Sequence, residues 1–335
     1  ARVDGLVGSE MCIRDRLLSP SKMKSAGIID ELTESENLIA DAKSWILQAK
    51  DSDCVKPWDE KGYKMPGGAP YHPAGFMTFA GASVMVNAKT QGAFPAAKAL
   101  LSAVYEGAQV PFDTALKIEA RWFTNILMNP SSGAMMRSLF INKEALEKGA
   151  VRPKNIPDQK VKKVGVLGAG MMGAGISYVS AMAGIEVILL DMKKEDAEKG
   201  KTHAENLLNI GIKRKKITEE KKLTVLNLIK PTIEFTDLGE CDLIVVAVFE
   251  DPAIKAEVTK KAEAVIGKDS IFATNTSTLP ITSLASASVR PEQFIGIHFF
   301  SPVDKMLLVE IIKGNATGEK AVAKALDYVQ QIKKT

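Results

Sequence analysis

The stretch VKKVGVLGAGMMGAGISYVSAMAGIEVILLD, which runs from Val161 to Asp191, decides the fold of this chain of 335 residues. It begins with a short apolar run that predicts a buried strand, continues through a glycine turn into a helix, and ends with a second apolar strand and an acid. Within the turn, Gly168, Gly170 and Gly173 form the pattern G-x-G-x-x-G. This order of strand, turn, helix, strand and acid predicts a Rossmann-type nucleotide-binding unit.

Each glycine of the turn has its own physical task in such a unit. Gly168 allows the tight turn out of the strand, Gly170 has no Cβ to obstruct a pyrophosphate, and Gly173 lets helix and strand pack closely. The helix then begins at Met171 and Met172, with free N–H groups and its positive dipole end directed at the phosphates. We expect these five residues to bind a dinucleotide; the alternative is a glycine-rich turn without a ligand.

The acid at the end of the second strand bears on the choice of cofactor. Asp191 stands where a carboxylate can hold the ribose hydroxyls of a dinucleotide. It favours NAD over NADP, because a carboxylate repels a 2′-phosphate. The neighbouring Lys193 and Lys194 keep NADP as the alternative.

The composition bounds the class of protein. Hydrophobic residues make up 46% and charged residues 25% of the chain, which is typical of a globular protein, and the length suits two or three domains. A net charge of +4 is too small to indicate nucleic-acid binding, and no apolar run is long enough for membrane insertion. The three cysteines, Cys12, Cys54 and Cys241, lack metal-ligand spacing. We expect no bound metal and a cytoplasmic location.

Pattern and composition divide the chain into four segments. Residues 1–16 include VGSEMCIRDR, which is similar to translated adapter sequence, and we expect them to be a non-native leader. Residues 17–149 carry helical patterns, and residues 150–160, AVRPKNIPDQK, form a linker with two prolines and mixed charge. In residues 161–335 strand and helix signals alternate, which predicts a doubly wound, mostly parallel α/β sheet of Rossmann type.

The same patterns predict the bounds of individual elements. Helices are predicted over Met23–Asp30, Asn37–Ala49, Thr114–Met128 with Asp113 as N-cap, and Ser131–Lys148 with Gly149 as stop. Strands are predicted over Val164–Leu167, Thr232–Phe235, Asp242–Val248, Ser270–Ala273, Phe294–Phe299 and Leu307–Ile312, before a last helix over Gly318–Lys334.

Polar clusters follow the predicted strands of the second half, where open α/β sheets bind their ligands. The clusters are Glu250 with Lys255, Asn275–Thr276–Ser277, and His298 with Glu310. Neighbouring parallel strands end at the same edge of a sheet, so we expect these side chains to share one region.

The third cluster can perform acid–base chemistry. His298 alone among the three histidines lies at the end of an apolar strand. Taken singly, such a histidine can be a core residue and Glu310 a charge on a strand edge. As a pair, the carboxylate would receive one ring N–H, fix the tautomer and raise the basicity of the imidazole. Oxidation of an alcohol needs such a base for the hydroxyl proton while hydride leaves the same carbon.

Four motifs of the second half, GAGMMGAGI, FEDPAIK, ATNTSTLPIT and GIHFFSPVDKMLLVEII, carry a family resemblance. Through their order and spacing, residues 161–335 resemble NAD-dependent L-3-hydroxyacyl-CoA dehydrogenase. The resemblance implies that His298 is the catalytic acid/base, that Glu310 orients it, and that Ser277 hydrogen-bonds the substrate oxygen. The implied reaction is reversible hydride transfer from C3 of an L-3-hydroxyacyl-CoA to NAD⁺.

The resemblance also concerns the surroundings of the cofactor. It implies NAD as cofactor and places Glu250, Lys255 and Asn275 along the path of the cofactor and the acyl-CoA. One position departs from the family, because Val246 stands where its members carry an acid. We expect that change to alter the packing beneath the cofactor.

Leu17–Gly149 carries a second resemblance, through KSAGIIDEL and an alanine-rich segment. It resembles the tail of an enoyl-CoA hydratase domain and the helices that connect it to the dehydrogenase of a multifunctional β-oxidation enzyme. This implies a fragment, with a helical domain expected after Thr335 and the hydratase glutamates expected before Leu17. For the whole enzyme it implies a homo-oligomer or a complex with a thiolase. The alternatives are a non-catalytic NAD-binding or assembly piece and a dehydrogenase of another small 3-hydroxy acid.

Overall fold

The computed structural model describes residues 19–25, 29–55, 59–65, 68–214 and 216–335. The predicted leader, residues 1–16, and part of the predicted helix Met23–Asp30 lie outside these ranges. The chain divides into two compact units, Ala1–Ser132 and Gly133–Thr335. Within the described ranges, no helix combines the length and the apolar character needed to cross a membrane.

The first unit is built of helices. They are α1 (Pro20–Ser25), α2 (Leu38–Gln48), α3 (Pro73–Thr90), α4 (Pro95–Gly107) and α5 (Phe112–Leu127). Proline opens both α3 and α4, at a position where its missing N–H costs no helical hydrogen bond. The prediction of Asp113 as an N-cap is wrong, because α5 begins at Phe112, two residues before the predicted start, and its N-cap is Pro111, with no side-chain cap.

Helices α4 and α5 of the first unit pack closely. A Cβ on Gly107 would lie 3.3 Å from the Cβ of Ala115, so the two helices approach each other where one side chain is absent. Glu106 accepts a hydrogen bond from the indole of Trp122 at 2.8 Å and also pairs with Arg121. These contacts join the two helices into a hairpin.

The helix predicted over Ser131–Lys148 is interrupted. A π-helical turn, Arg137–Asn142, separates α6 (Pro130–Met136) from α7 (Lys143–Glu147). Such a turn widens the helix by one residue, which a search for 3.6-residue periodicity does not detect. Gly149 follows with a φ of +78°, the left-handed conformation that ends a helix at a glycine.

Residues 150–160, predicted as a linker, are hydrogen-bonded to the last helix of the second unit. Arg152 forms a two-pronged ion pair with Asp327, with nitrogen–oxygen distances of 2.6 and 2.8 Å. The backbone N–H of Gln159 donates to the same carboxylate at 2.8 Å. Next along the chain, the side chain of Gln331 hydrogen-bonds both the N–H and the carbonyl of Val161. A bidentate arginine–carboxylate pair of this kind restricts orientation as well as distance.

A sheet of seven strands forms the centre of the second unit. Its strands are β1 (Lys163–Leu167), β2 (Glu186–Leu190), β3 (Ile229–Thr232), β4 (Leu243–Val246), β5 (Ile271–Thr274), β6 (Phe294–Phe299) and β7 (Val309–Ile312). The helices between and after them are α8 (Met171–Met182), α9 (Lys194–Lys213), α10 (Glu219–Leu228), α11 (Pro252–Glu263), α12 (Ile281–Ala285) and α13 (Glu319–Gln331).

The strand order is β3-β2-β1-β4-β5-β6-β7. All neighbours are parallel except β6 and β7, which are antiparallel. The central strands are apolar on both sides, and two buried clusters cover the two faces of the sheet. The predicted Rossmann-type, mostly parallel fold is confirmed, and its order reverses between β1 and β4, where such sheets bind ligands.

One strand lies elsewhere than predicted. Instead of Thr232–Phe235, the chain pairs over Ile229–Thr232, and a 3₁₀ turn, Phe235–Leu238, follows. The apolar Ile229 is buried opposite Val187, which sets the register. Proline in a strand argues against pairing, but β3 is at the edge of the sheet, where a missing N–H is tolerated.

Candidate active site

The glycine turn that follows β1 has the geometry of a phosphate cradle. Gly168 has a φ of +97°, and a Cβ there would lie 2.7 Å from the carbonyl oxygen of Ala247. A Cβ on Gly173 would lie 1.8 Å from the carbonyl oxygen of Gly168, so the packing of helix on turn requires that glycine. A Cβ on Gly170, in contrast, would meet no atom of the protein within 4 Å. The protein's own packing therefore does not require Gly170, and the space before it is open to a ligand.

The amides of the turn and the first turn of α8 border the same space. Gly170 is the N-cap of α8 and no side chain caps the helix, so Met171 and Met172 begin it with N–H groups that have no carbonyl within the helix to bind. These amides and the helix dipole favour an anion. The residues present therefore fit the pyrophosphate of a dinucleotide.

Asp191 is tied to the glycine turn as well as standing at the end of β2. Its Oδ2 accepts the N–H of Ala169 at 2.6 Å, and its Oδ1 accepts the N–H of Met192 at 2.7 Å. Each carboxylate oxygen keeps a further lone pair for a hydroxyl. The carboxylate therefore holds the turn in place and is still able to accept hydrogen bonds from a ribose.

His298 and Glu310 lie directly opposite each other on the antiparallel strands β6 and β7. His298 Nδ1 and Glu310 Oε2 are 2.7 Å apart, and 16% of the histidine side chain is exposed. A carboxylate on Nδ1 fixes the neutral tautomer with its proton on that nitrogen, which leaves Nε2 with a free lone pair. The predicted pair is therefore formed, and Nε2 is the atom that can take a proton.

The end of β6 reaches the start of the nucleotide-binding helix. Three residues after His298, the hydroxyl of Ser301 lies 3.7 Å from the sulfur of Met171 in the first turn of α8. Further along the same connection, Val303 is buried against Gly175, where a Cβ would lie 2.8 Å from the Cβ of Val303. These contacts connect the strand that carries the histidine to the helix that follows the glycine turn.

Glu250, after β4, joins several of the predicted residues. Its Oε1 accepts hydrogen bonds from the hydroxyl of Thr276 and, at 3.2 Å, from the N–H of Ser277. Its Oε2 lies 3.1 Å from the ammonium of Lys255. Burial raises the pKa of Glu250, but the hydrogen bonds from Thr276 and Lys255 outweigh it and leave that pKa below its ordinary value. The carboxylate is therefore ionised at neutral pH.

Asn275 and Ser277 occupy the turn after β5. The side-chain oxygen of Asn275 accepts the N–H of Phe299, next to the histidine, at 2.8 Å. The amide group of Asn275 keeps its N–H donors, and Ser277 is exposed. The structure thus brings the loops after β4 and β5 and the end of β6 together through hydrogen bonds.

Two residues of this arrangement received no role from the sequence, although Thr276 stands within one of the predicted polar clusters. Thr276 bonds Glu250, and the Thr274 hydroxyl lies 3.4 Å from the Lys255 ammonium. The available signal is weak, since it consists only of threonines at the end of an apolar strand. Val246, which departs from the family pattern, is buried in an apolar cluster with Leu167 and therefore continues the core.

The fold and this site together define a dinucleotide-binding α/β domain of the dehydrogenase type. The chain matches the family described as 3-hydroxyacyl-CoA dehydrogenase, NAD binding domain, over residues 163–335, and it belongs to that family. The second unit therefore contains an NAD-binding domain.

Known relatives agree with this assignment. Fatty acid oxidation complex subunit alpha from Pseudomonas syringae is 37% identical over 258 residues, which are 77% of this chain and 36% of that protein. The protein of the same name from Idiomarina loihiensis is 34% identical over 312 residues, 92% of this chain and 43% of its own length. The chain thus spans less than half the length of these relatives.

A solved structure shows the same likeness. The (S)-3-hydroxybutyryl-CoA dehydrogenase from Ralstonia eutropha is 36% identical, with a TM-score of 0.50, over 52% of this chain and 62% of that one. The 52% of this chain that this structure covers is in keeping with the extent of the family match, residues 163–335.

Proposed function

We propose that the second unit catalyses the reversible, NAD-dependent dehydrogenation of an L-3-hydroxyacyl-CoA at C3. The observation that carries the proposal is the 2.7 Å contact between His298 Nδ1 and Glu310 Oε2, on strands whose connection touches the first turn of α8. An acyl-CoA substrate is in keeping with relatives that belong to a fatty acid oxidation complex. An imidazole nitrogen that is free to take a proton is what oxidation of an alcohol requires.

In this proposal the cofactor is held by the glycine turn and its neighbours. Gly168 and Gly173 shape the turn, Gly170 leaves room for the pyrophosphate, and the amides of Met171 and Met172 bind it. The remaining contacts are to the ribose and the nicotinamide half, for which we propose Asp191, Glu250 and Asn275. When bound, NAD⁺ supplies the acceptor for the hydride that leaves C3.

His298 moves the proton of the reaction. Nε2 takes the proton of the 3-hydroxyl as the C3–H bond breaks and the carbon–oxygen double bond forms, and in the reverse direction it returns that proton to the ketone oxygen. Glu310 stabilises the imidazolium that arises and keeps the ring oriented. Ser277, exposed at the end of β5, donates a hydrogen bond to the substrate oxygen.

The test measures the reduction of acetoacetyl-CoA through the loss of NADH absorbance. It compares the wild type with an equal amount of His298→Ala. Removal of the base is expected to lower the rate about 10²- to 10⁴-fold, while NADH affinity, measured by fluorescence, stays unchanged. His203→Ala is the matched control, because His203 is exposed on α9. Dehydrogenation that survives His298→Ala would contradict the assignment of the base. NADH binding without any turnover would favour a non-catalytic NAD-binding piece, and turnover of free 3-hydroxy acids without competition by CoA would favour the other class of dehydrogenase.

The names of the relatives support one further part of the proposal. They describe a subunit of a complex. From the family resemblance we further propose that the whole protein acts as a homo-oligomer or together with a thiolase, and that it does so in the cytoplasm. Light scattering of the purified chain with and without a thiolase tests this association.

A further inference from the structure

The β6–β7 loop, residues 300–308, determines where Glu310 stands opposite His298. It is far longer than the tight turns that fix the register of a hairpin through their own geometry. β7 is the last strand of the sheet and 51% of the Glu310 side chain is exposed, so burial holds this carboxylate only weakly. A slip of one residue would bring Val309 or Ile311 opposite His298 and would turn the carboxylate to the other face of the sheet. The loop therefore needs support from other segments.

Lys334, which follows α13, is a buried cation that contacts this loop. Only 8% of the residue is exposed. Its ammonium donates to the carbonyl oxygen of Val303 at 2.6 Å and to that of Met306. Within the loop, the N–H groups of Lys305 and Met306 both donate to the carbonyl oxygen of Pro302 at 3.0 Å, which forms a single helical turn. The lysine therefore caps carbonyl groups that such a turn leaves without a partner of its own.

The backbone beside this lysine is paired with the start of β7. The N–H of Thr335 donates to the carbonyl oxygen of Leu307 at 2.9 Å. The backbone oxygen of Thr335 accepts the N–H of Val309, the residue before Glu310, at 2.8 Å. The segment after α13 thus contacts the helical turn of the loop through a side chain and the first residue of β7 through its backbone.

We propose that Lys334 is a positioning residue for the pair formed by His298 and Glu310. By holding the helical turn 302–306, it fixes the point at which β7 begins, and so it keeps the carboxylate of Glu310 in hydrogen-bonding contact with Nδ1 of His298. The importance of this contact for turnover rests on the proposed function, whereas the placement of the carboxylate does not.

The test follows the Nδ1 proton of His298 by NMR in the ¹⁵N-labelled full chain without cofactor. His298→Ala identifies the signal among the three histidines. In Lys334→Met, which keeps most of the volume and removes the ammonium, this proton is expected to exchange with water about tenfold faster, because the pair is open for a larger share of the time. Lys333→Met is the matched control, since Lys333 is the neighbouring lysine and is exposed. It should leave the rate unchanged.

Two further variants calibrate the effect. Glu310→Gln removes the carboxylate itself and sets the exchange rate of a pair that is lost completely. Lys334→Gln keeps an N–H donor for one of the two carbonyl groups, so it should give a rate between those of the wild type and Lys334→Met. It also carries the comparison if Lys334→Met does not fold. A rate in Lys334→Gln equal to that of the wild type, in a variant whose Met306 amide exchanges faster, would overturn the proposal.

Two results with Lys334→Met would also overturn it. Faster exchange of the loop amides with an unchanged Nδ1 proton would show that the lysine supports the loop alone. Faster exchange throughout the sheet, with no excess at His298, would show a purely structural lysine.

Activity provides a separate measurement. In the reduction of acetoacetyl-CoA, Lys334→Met should lower kcat about tenfold and leave the KM for NADH unchanged, because the pair acts on the proton and not on the cofactor. Because the Nδ1 proton is observed without cofactor or substrate, an inactive wild type with the expected exchange pattern would contradict the proposed function and leave the positioning role intact.

Discussion

The substitution Gly170→Ala is expected to weaken NADH binding without weakening the fold. A Cβ at this position would meet no protein atom within 4 Å, and the backbone, with φ of −65° and ψ of −172°, suits any residue. We therefore expect the variant to fold with the stability of the wild type or to gain about 0.5 kcal/mol from its less flexible unfolded state. NADH binding should nevertheless be lost in large part, since the methyl group enters the space before the helix.

The size of the loss follows from the contacts proposed for the pyrophosphate. If the methyl group weakens two charge-assisted hydrogen bonds from the amides of the first turn, the cost is about 3 kcal/mol. That corresponds to about a hundredfold rise in the NADH dissociation constant. Fluorescence titration with NADH measures it, and thermal unfolding without ligand measures stability.

Two other glycines provide the comparison. In Gly173→Ala, a Cβ 1.8 Å from the carbonyl oxygen of Gly168 forces the backbone to move, so this variant should lose about 3 kcal/mol of stability or more. In Gly81→Ala, within α3, a Cβ meets open space, and the change should alter neither NADH affinity nor the fold. An affinity of Gly170→Ala within about threefold of the wild type would refute the cradle, because such a difference is under 1 kcal/mol.

Three further predictions concern reactivity, stability and pH. Burial raises the pKa of Cys241 to about 12, so iodoacetamide at pH 8 should alkylate the exposed Cys54 and spare Cys241 until the chain unfolds, as peptide mass spectrometry would show; early labelling of Cys241 would contradict its burial. Tyr328→Phe removes the buried hydroxyl that lies 2.7 Å from Ser180 Oγ, and should lower the free energy of unfolding by about 1 kcal/mol in urea titrations; equal midpoints would contradict this. The pKa of Glu250 is lowered in the fold, so its ionised form stabilises the protein above pH 4.5 and that contribution is lost as the pH falls through the lowered pKa. The stability difference between wild type and Glu250→Gln should shrink in acid, and a difference constant with pH would count against the ion pair.

Strands that stand as single apolar runs were predictable from the sequence. Phe294–Phe299 is a strand with the predicted bounds, and β1 extends the prediction Val164–Leu167 by one residue. The edge strand was misplaced because Pro231 favours a turn, and only pairing with β2 shows that the edge position tolerates it. The local pattern of apolar residues therefore predicted strands inside the sheet, such as β1 and β6, better than the edge strand β3.

Part of the candidate site was predictable in the same way. The spacing of the glycines and of the acid after β2 predicts the nucleotide-binding unit, because its turn, helix and strand are consecutive in the chain. The contact of His298 with Glu310 depends on the return of β7 beside β6, and the register of that return is set by a loop rather than by periodicity. The contacts of Lys255 with Glu250, Thr274 and Asn275 depend on three separate segments, so its sequence position alone did not predict them.

The sequence by itself determined an NAD-binding α/β domain, because a strand, a glycine turn and a helix form from neighbouring residues. Only the tertiary structure decided which polar groups meet at the ends of the strands and which of them face solvent. The physical reason is that hydrogen bonds between loops and the burial of a charge are set by the packing of distant segments.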